Sequence, residues 1–413
     1  MKIRVRRVPA VPLLALRVWL AGGERQAERP GAALLAGRML DEGTETRSWR
    51  RVAAEAEDRG ISITAFGGYE VIGLALDGPA AESERMIDWA AELAAAPAFD
   101  AERWAWQRQL AAAELESMLD EPQAVAGWSF LRQLYGAHPR GRPLQGDGTS
   151  LAELRVEHSE QSYRRAVADG AIVTLAGAVD EVAVEARLRE VLAGYFPSPD
   201  AERADGLRTS ASPASSDLEV ELPVGGERRQ TVELPGDQAH VFLGRRTVTR
   251  DHPDLPALEL LSVVLGAGAG LSGRLPERIR ERDGLAYTTG VDTAAGAAAD
   301  PGRFVVYAAT SAERVPSVER AVSEELDRLL HNGVAESELT AARTFLEGQD
   351  LFRRETARQW ADLMAEAEHT GMPVDSPSWA AERWSALDAT ELRRVAERWL
   401  DPAELYVTVG LPR

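Results

Sequence analysis

The sequence predicts an α+β fold of two similar domains, each a mostly antiparallel sheet with helices packed on one face. Three observations carry this. The length, 413 residues, exceeds one ordinary core and divides into two units of roughly 200 residues. Short alternating strands are mixed with long helical stretches, as in layered α+β domains. The order of elements in the first half recurs in the second, which predicts an internal duplication although the halves share little residue identity.

Leu14–Leu20 alternates apolar and polar residues as a strand does. The basic residues before it imitate a leader peptide. Pro9, Pro12 and Arg17 break the apolar run, so a first strand and a cytoplasmic location are expected. Pro30-Gly31 opens an Ala/Leu-rich helix over Ala32–Leu40, and Arg47–Arg59 reads as a second helix stopped by Gly60. Ile61–Phe66 has period two, with a partner strand Glu70–Leu76 across Gly67-Gly68. Helical periodicity runs from Ala80 to Leu134 with interruptions near Pro97 and Pro122. A strand at Ala171–Ala176 and a helix at Val179–Leu192 follow. Residues 1–199 therefore form the first expected domain. The Ser/Ala/Asp/Pro-rich stretch 200–226 reads as a linker, part of it pairing as an edge strand near Leu218–Leu222. The second domain, 227–413, has expected strands at Ala239–Gly244, Tyr287–Val291, Phe304–Ala309 and Leu405–Val409. Its expected helices are Pro256–Leu265, Val315–Leu330 and Glu336–Met364.

Composition narrows the function classes. With 47 Lys+Arg against 66 Asp+Glu the net charge is −19, which repels phosphates and argues against nucleic acid or anionic membrane as the main partner. No stretch approaches the roughly 20 apolar residues of a membrane span. The absence of cysteine removes disulfides, thiolate metal sites and cysteine nucleophiles. The six histidines, His138, His158, His240, His252, His331 and His369, form no i, i+4 pair. The glycines at 266–273 are not followed by Gly-Lys-Ser/Thr, so a phosphate loop is not expected.

The most informative segment is Gly266–Gly290. It contains Ser272, Arg274 and Leu275, then Arg280, Glu281, Gly284, Leu285, Ala286 and Tyr287. This order and spacing resembles the C-terminal signature of the pitrilysin/insulinase family of zinc peptidases. Tyr135–Pro143, around His138-Pro139, resembles that family's His-Pro-x-Gly-x-Pro turn, and the likeness extends from about Val8 to Gly410. The resemblance implies a clamshell chamber of which this chain forms half. It also implies that Arg280 and Tyr287 hold the substrate backbone and steady the tetrahedral oxyanion, which a guanidinium fork and a phenol are suited to do.

Active members of that family carry His-x-x-Glu-His on the first helix, with both histidines on zinc and the glutamate activating water. Here the flanks match, but Leu34 and Arg38 replace the histidines and Gly37 replaces the glutamate. Glu114 falls near the spacing of the third ligand, and Gln107 replaces an upstream glutamate. One carboxylate without imidazoles does not make a tetrahedral zinc site. The expected fate of the vacated site is a salt bridge between Arg38 and Glu114. The resemblance therefore implies no metal on this chain and no peptide hydrolysis by it alone. It implies instead a heterodimer in which a homologous partner carries zinc and this chain contributes Arg280 and Tyr287 toward a peptide substrate. The alternative is a non-enzymatic peptide-binding or scaffold protein, like the core subunits of the respiratory bc1 complex.

Overall fold

A computed structural model of the chain describes residues 1–196, 227–267, 273–373 and 377–413. The linker 200–226, its expected edge strand, and Ser272 of the glycine-rich signature lie outside the described residues. Among the described residues, two five-stranded sheets organise the fold. The first has the strand order β1-β5-β2-β4-β3, from β1 (Lys2–Arg7), β2 (Leu13–Ala21), β3 (Ser62–Gly67), β4 (Val71–Pro79) and β5 (Ala171–Gly177). The second has the order β6-β10-β7-β9-β8, from β6 (Arg229–Leu234), β7 (Ala239–Arg246), β8 (Thr288–Ala295), β9 (Arg303–Thr310) and β10 (Tyr406–Pro412). In each sheet the first strand pairs in parallel with the last, and every other pairing is antiparallel. The repeat anticipated from the order of elements is thus exact in topology. Strands β1 and β6 escape the sequence reading because Lys2–Arg7 and Arg229–Leu234 are charged edge strands without a core-facing apolar run.

Each sheet belongs to one compact unit. Residues 1–116, 142–196 and 353–373 form the first, and residues 117–141, 227–352 and 377–413 the second. Each half of the sequence therefore lends one helical segment to the other unit. The expected single helix Glu336–Met364 is two helices, Glu336–Phe352 and Ala357–Thr370. The second starts afresh at Thr356, whose hydroxyl accepts from the Gln359 N–H while the Gln359 side chain accepts from the Thr356 N–H.

In the first unit the inner face of the sheet (Leu14, Leu16, Val18, Leu20, Leu74, Leu76) is buried against Ala33, Leu35 and Met39 and neighbouring helices. Helix Ala357–Thr370 lies on the opposite face, where Trp360 and Met364 meet Ala15 and Ala176. In the second unit Val241, Leu243, Phe304 and Val306 make the inner core. Helix Pro122–Tyr135 lies on the outer face through Phe130, Leu134 and Tyr135. Among the described residues, then, each sheet carries, besides its main helical layer, one helix on its other face. Among the described residues no helix is long and apolar enough to cross a membrane.

Candidate functional site

Helix α1 (Ala32–Arg38) carries the three positions of the degenerate motif. Ala32–Ala36 are strong helix formers, and the helix is started by a distant carboxylate. Glu24, fully buried, accepts from the N–H groups of Gly31 (3.0 Å), Ala33 (3.0 Å) and Leu34 (3.1 Å), satisfying donors a helix start leaves open. Burial pushes the Glu24 carboxyl above its ordinary range, against the opposing pull of these amides and of Arg142, 3.7 Å away. Glu24 lies eight residues before the helix in a Gly22-Gly23-Glu24 turn, and no local capping pattern marks it in the sequence.

The motif positions have separate fates. Leu34 is 5% exposed and belongs to the core. Gly37 faces β3 with no room for a side chain: a Cβ there would lie 2.2 Å from the Phe66 carbonyl oxygen and 2.4 Å from the Gly67 nitrogen. Gly67 answers it, since a Cβ on that residue would lie 2.3 Å from the Ala33 oxygen. Helix and edge strand therefore meet backbone to backbone. The same strand is held at its turn by the N–H groups of Gly22, Glu24 and Arg25, which donate to Glu70, Gly68 and Tyr69. Part-way along β3, the Asp41 carboxylate accepts from the Ala65 N–H at 3.3 Å. Burial, with Glu42 next to it, raises the Asp41 pKa to about 6.

Arg38 donates to Glu114 at 2.5 Å, and Gln145 donates to the same carboxylate at 3.3 Å. Gln107 does not join them. It donates to Glu42, which Arg103 also grips with two hydrogen bonds of 2.6 and 2.9 Å. The structure thus brings Arg38 and Glu114 together and sends Leu34, Gly37 and Gln107 elsewhere. Leu34 and Gly37 offer no donor atom, and a guanidinium already neutralises Glu114, so these residues do not fit a zinc ion. Among the described residues no group of three or more His, Cys, Asp or Glu side chains could hold a metal.

The second unit presents Arg280 and Tyr287. Arg274 anchors the turn-helix region, with two 2.7 Å hydrogen bonds to Glu338 and one of 2.8 Å to the Gly333 carbonyl. Past Arg280 the chain reverses at Gly284, whose φ of 58° is left-handed and suits glycine. Arg314 donates to the Gly284 carbonyl at 2.8 Å and Thr310 to the Leu285 carbonyl at 2.6 Å. Tyr287 leaves this clamp 79% exposed. The Arg280 guanidinium lies 4.6 Å from the Tyr287 ring centroid, a cation–π pair. A polar cavity of about 390 Å³ adjoins Tyr287 and Thr288, with Asp237, Gln238 and Ser311 in its wall.

Residues 6–148 match the family model of insulinase (peptidase family M16), and residues 166–346 match that of the peptidase M16 inactive domain. An uncharacterized zinc protease of Mycobacterium leprae is 29% identical over 371 residues, covering 89% of this chain and 80% of its own length. One from Mycobacterium tuberculosis is 30% identical over 344 residues, with coverage of 83% and 75%. The chain belongs to the insulinase family. In fold it is similar to a peptidase M16 inactive domain from Pseudomonas fluorescens, with a TM-score of 0.85 at 21% identity over 100% of this chain and 96% of that one. A chain of complex III2 from Candida albicans has a TM-score of 0.74 at 12% identity, over 99% and 93% of the two chains.

Proposed function

We propose that this chain is the zinc-free subunit of a heterodimeric zinc peptidase. On this reading Arg280 and Tyr287 face peptide bound at a homologous partner, which carries the metal. The observation that supports it is the contrast between the units. Gly37 is packed shut against β3 and Arg38 has replaced a ligand, whereas Arg280 and Tyr287 stack on each other at an exposed surface. The zinc of the partner would supply an activated water. This chain would supply a guanidinium and a phenol as fixed donors toward the developing oxyanion.

Co-expression with a homologue bearing His-x-x-Glu-His tests the proposal. The mixture should cleave peptides that neither chain cleaves alone. Arg280→Ala and Tyr287→Phe should each lower turnover by about 10²–10³ while the complex still assembles on size-exclusion chromatography. Full turnover in the double variant would refute the assigned roles. The alternative reading, a scaffold of the same fold, draws on the likeness to the complex III chain. It predicts assembly with a homologue without any gain of hydrolysis.

A further inference from the structure

Among the described residues, the outer face of the second sheet is only half covered. Helix Pro122–Tyr135 lies over β6, β10 and β7. Its Ser129 carbonyl and Gln133 side chain bond Gln230 and Thr408, and Ala126 approaches Gly410. Side chains of one strand alternate between faces. With Val241, Val291, Val306 and Ala308 in the core, the outward residues are His240 and Phe242 on β7, Tyr307 and Ala309 on β9, and Thr288, Gly290 and Asp292 on β8. Over β9 and β8 they form an open floor.

Two cavities adjoin this floor. The 390 Å³ polar cavity touches Thr288 and Ala309, beside Tyr287. At the other end a cavity of about 640 Å³ lies between the floor and the helix, lined by Trp128, Phe130, Leu131, Phe242 and Tyr307, with Asp292 and Arg303 among its polar residues. Phe242 packs against Tyr307 (centroids 4.8 Å apart) and stacks on Phe130 (5.8 Å), so the aromatic wall is pre-formed.

Gly290 lines the larger cavity on the side toward the smaller one, and a side chain there would meet nothing within 4 Å. The first sheet shows what closure looks like. Cross-strand neighbours Trp19, Gly73 and Phe66 make a row there, and the Phe66 ring lies across the glycine, 2.7 Å from where its Cβ would be. In the second sheet the row Phe242, Tyr307 and Gly290 takes the place of Arg17, Ala75 and Thr64, two residues along the strands from that closed row. The aromatics line the interior and the glycine lies at the edge, so the floor stays open.

The geometry points to a peptide-binding shelf on this face. It seats an extended segment whose bulky apolar side chain, aromatic or leucine-like, enters the Phe242/Tyr307 cavity. Thr288 and Asp292 are four residues apart on β8, about 13 Å at the strand rise. Gly290, two residues from Thr288, lines the same cavity, so the apolar side chain lies about two to four residues from the one beside Tyr287. This rests on the proposed role of Tyr287 for its reading as a substrate subsite, while peptide binding itself requires no zinc partner.

The test uses the full chain alone and two fluorescein-labelled 12-residue Gly/Ser/Thr peptides, one with a single central Phe and one with Ser in its place. Fluorescence anisotropy should show the Phe peptide binding about tenfold to a hundredfold tighter, the worth of burying one aromatic side chain. Gly290→Leu, which has room to fold, should remove that difference. Gly348→Leu, equally open on helix Glu336–Phe352, should retain it. Equal affinity for both peptides, or a Phe preference unmoved by Gly290→Leu, overturns the shelf. Hydrolysis by the co-expressed pair without a Phe preference would overturn the shelf and leave the partner reading intact. A Phe preference without hydrolysis would do the reverse.

Discussion

Restoring the family's zinc motif in this chain should fail for a reason that a single methyl group exposes. A Cβ at Gly37 would lie 2.2 Å from the Phe66 oxygen, where ordinary contact begins at 3.4 Å. Helix α1 and β3 would have to separate by about 1 Å, and neither neighbour is a side chain able to rotate away. Overpacking of this kind costs about 3 kcal/mol at the upper end of its usual range. The helix propensity gained on replacing glycine by alanine returns about 1 kcal/mol. Gly37→Ala should therefore destabilise by about 2 kcal/mol, lowering Tm by roughly 4–8 °C for a unit of this size. Gly348→Ala, inside a helix with open space around it, should raise or leave unmoved the melting of its own unit. Thermal unfolding followed by circular dichroism gives both signs. The triple variant Leu34→His/Gly37→Glu/Arg38→His should melt lower still and retain no stoichiometric zinc after gel filtration, measured by mass spectrometry of the metal. A triple variant that melts like the parent and holds one zinc per chain would refute the closed-strand account.

Arg38→Met should cost less than about 1 kcal/mol, because Glu114 is partly exposed and keeps Gln145; a urea-denaturation double-mutant cycle with Glu114→Gln reads the coupling. Arg274→Met should cost about 2 kcal/mol by breaking a bidentate, part-buried pair. Arg274 holds the Glu338 carboxyl below its ordinary range, so this contribution is present above the unfolded carboxylate pKa and is lost as pH falls through the folded one. Urea titrations should accordingly find the variant's deficit shrinking in acid. Asp41 behaves oppositely. Its pKa, raised to about 6 from 3.8, means that the relative stability it gives is full below about pH 4 and lost as pH rises through about 6. Asp41→Asn, still able to accept from Ala65, should be more stable than the parent at pH 7 by on the order of 2 kcal/mol, with no such gain at pH 4.

Much of the fold was legible because period-two runs such as Leu14–Leu20 and Ala239–Gly244 face cores that demand alternation. What was not legible depends on partners distant in sequence. Glu24 caps α1 from outside any capping pattern, and Arg103 and Gln107 were drawn to Glu42 by a turn that only the folded chain creates. The split at residues 353–356 was hidden because helix-forming residues continue across it. Only the capping box at Thr356 and Gln359 marked a new start. At the site, the motif comparison pointed to Leu34, Gly37 and Arg38 on α1. It treated Gly37 as a missing glutamate, however, when the glycine is itself a packing requirement. That requirement lives in β3, thirty residues away.

The two edge strands carry the functional argument further than the lost ligands do. β3 and β8 occupy the same place in sheets of identical topology. β3 is closed in: α1 presses on it through Gly37, Asp41 caps its Ala65 amide, and its Phe66 ring lies across Gly73 of β4. β8 is open, with Tyr287 exposed at its start and Gly290 bare beside an aromatic cavity. Wholesale drift toward an inert scaffold would give no reason for one edge to be closed by complementary glycines while the other presents a 79% exposed tyrosine stacked on an arginine. The division into a closed first unit and an open second one is what a subunit would require if its peptide contacts were all on one side and its catalytic metal were on another chain.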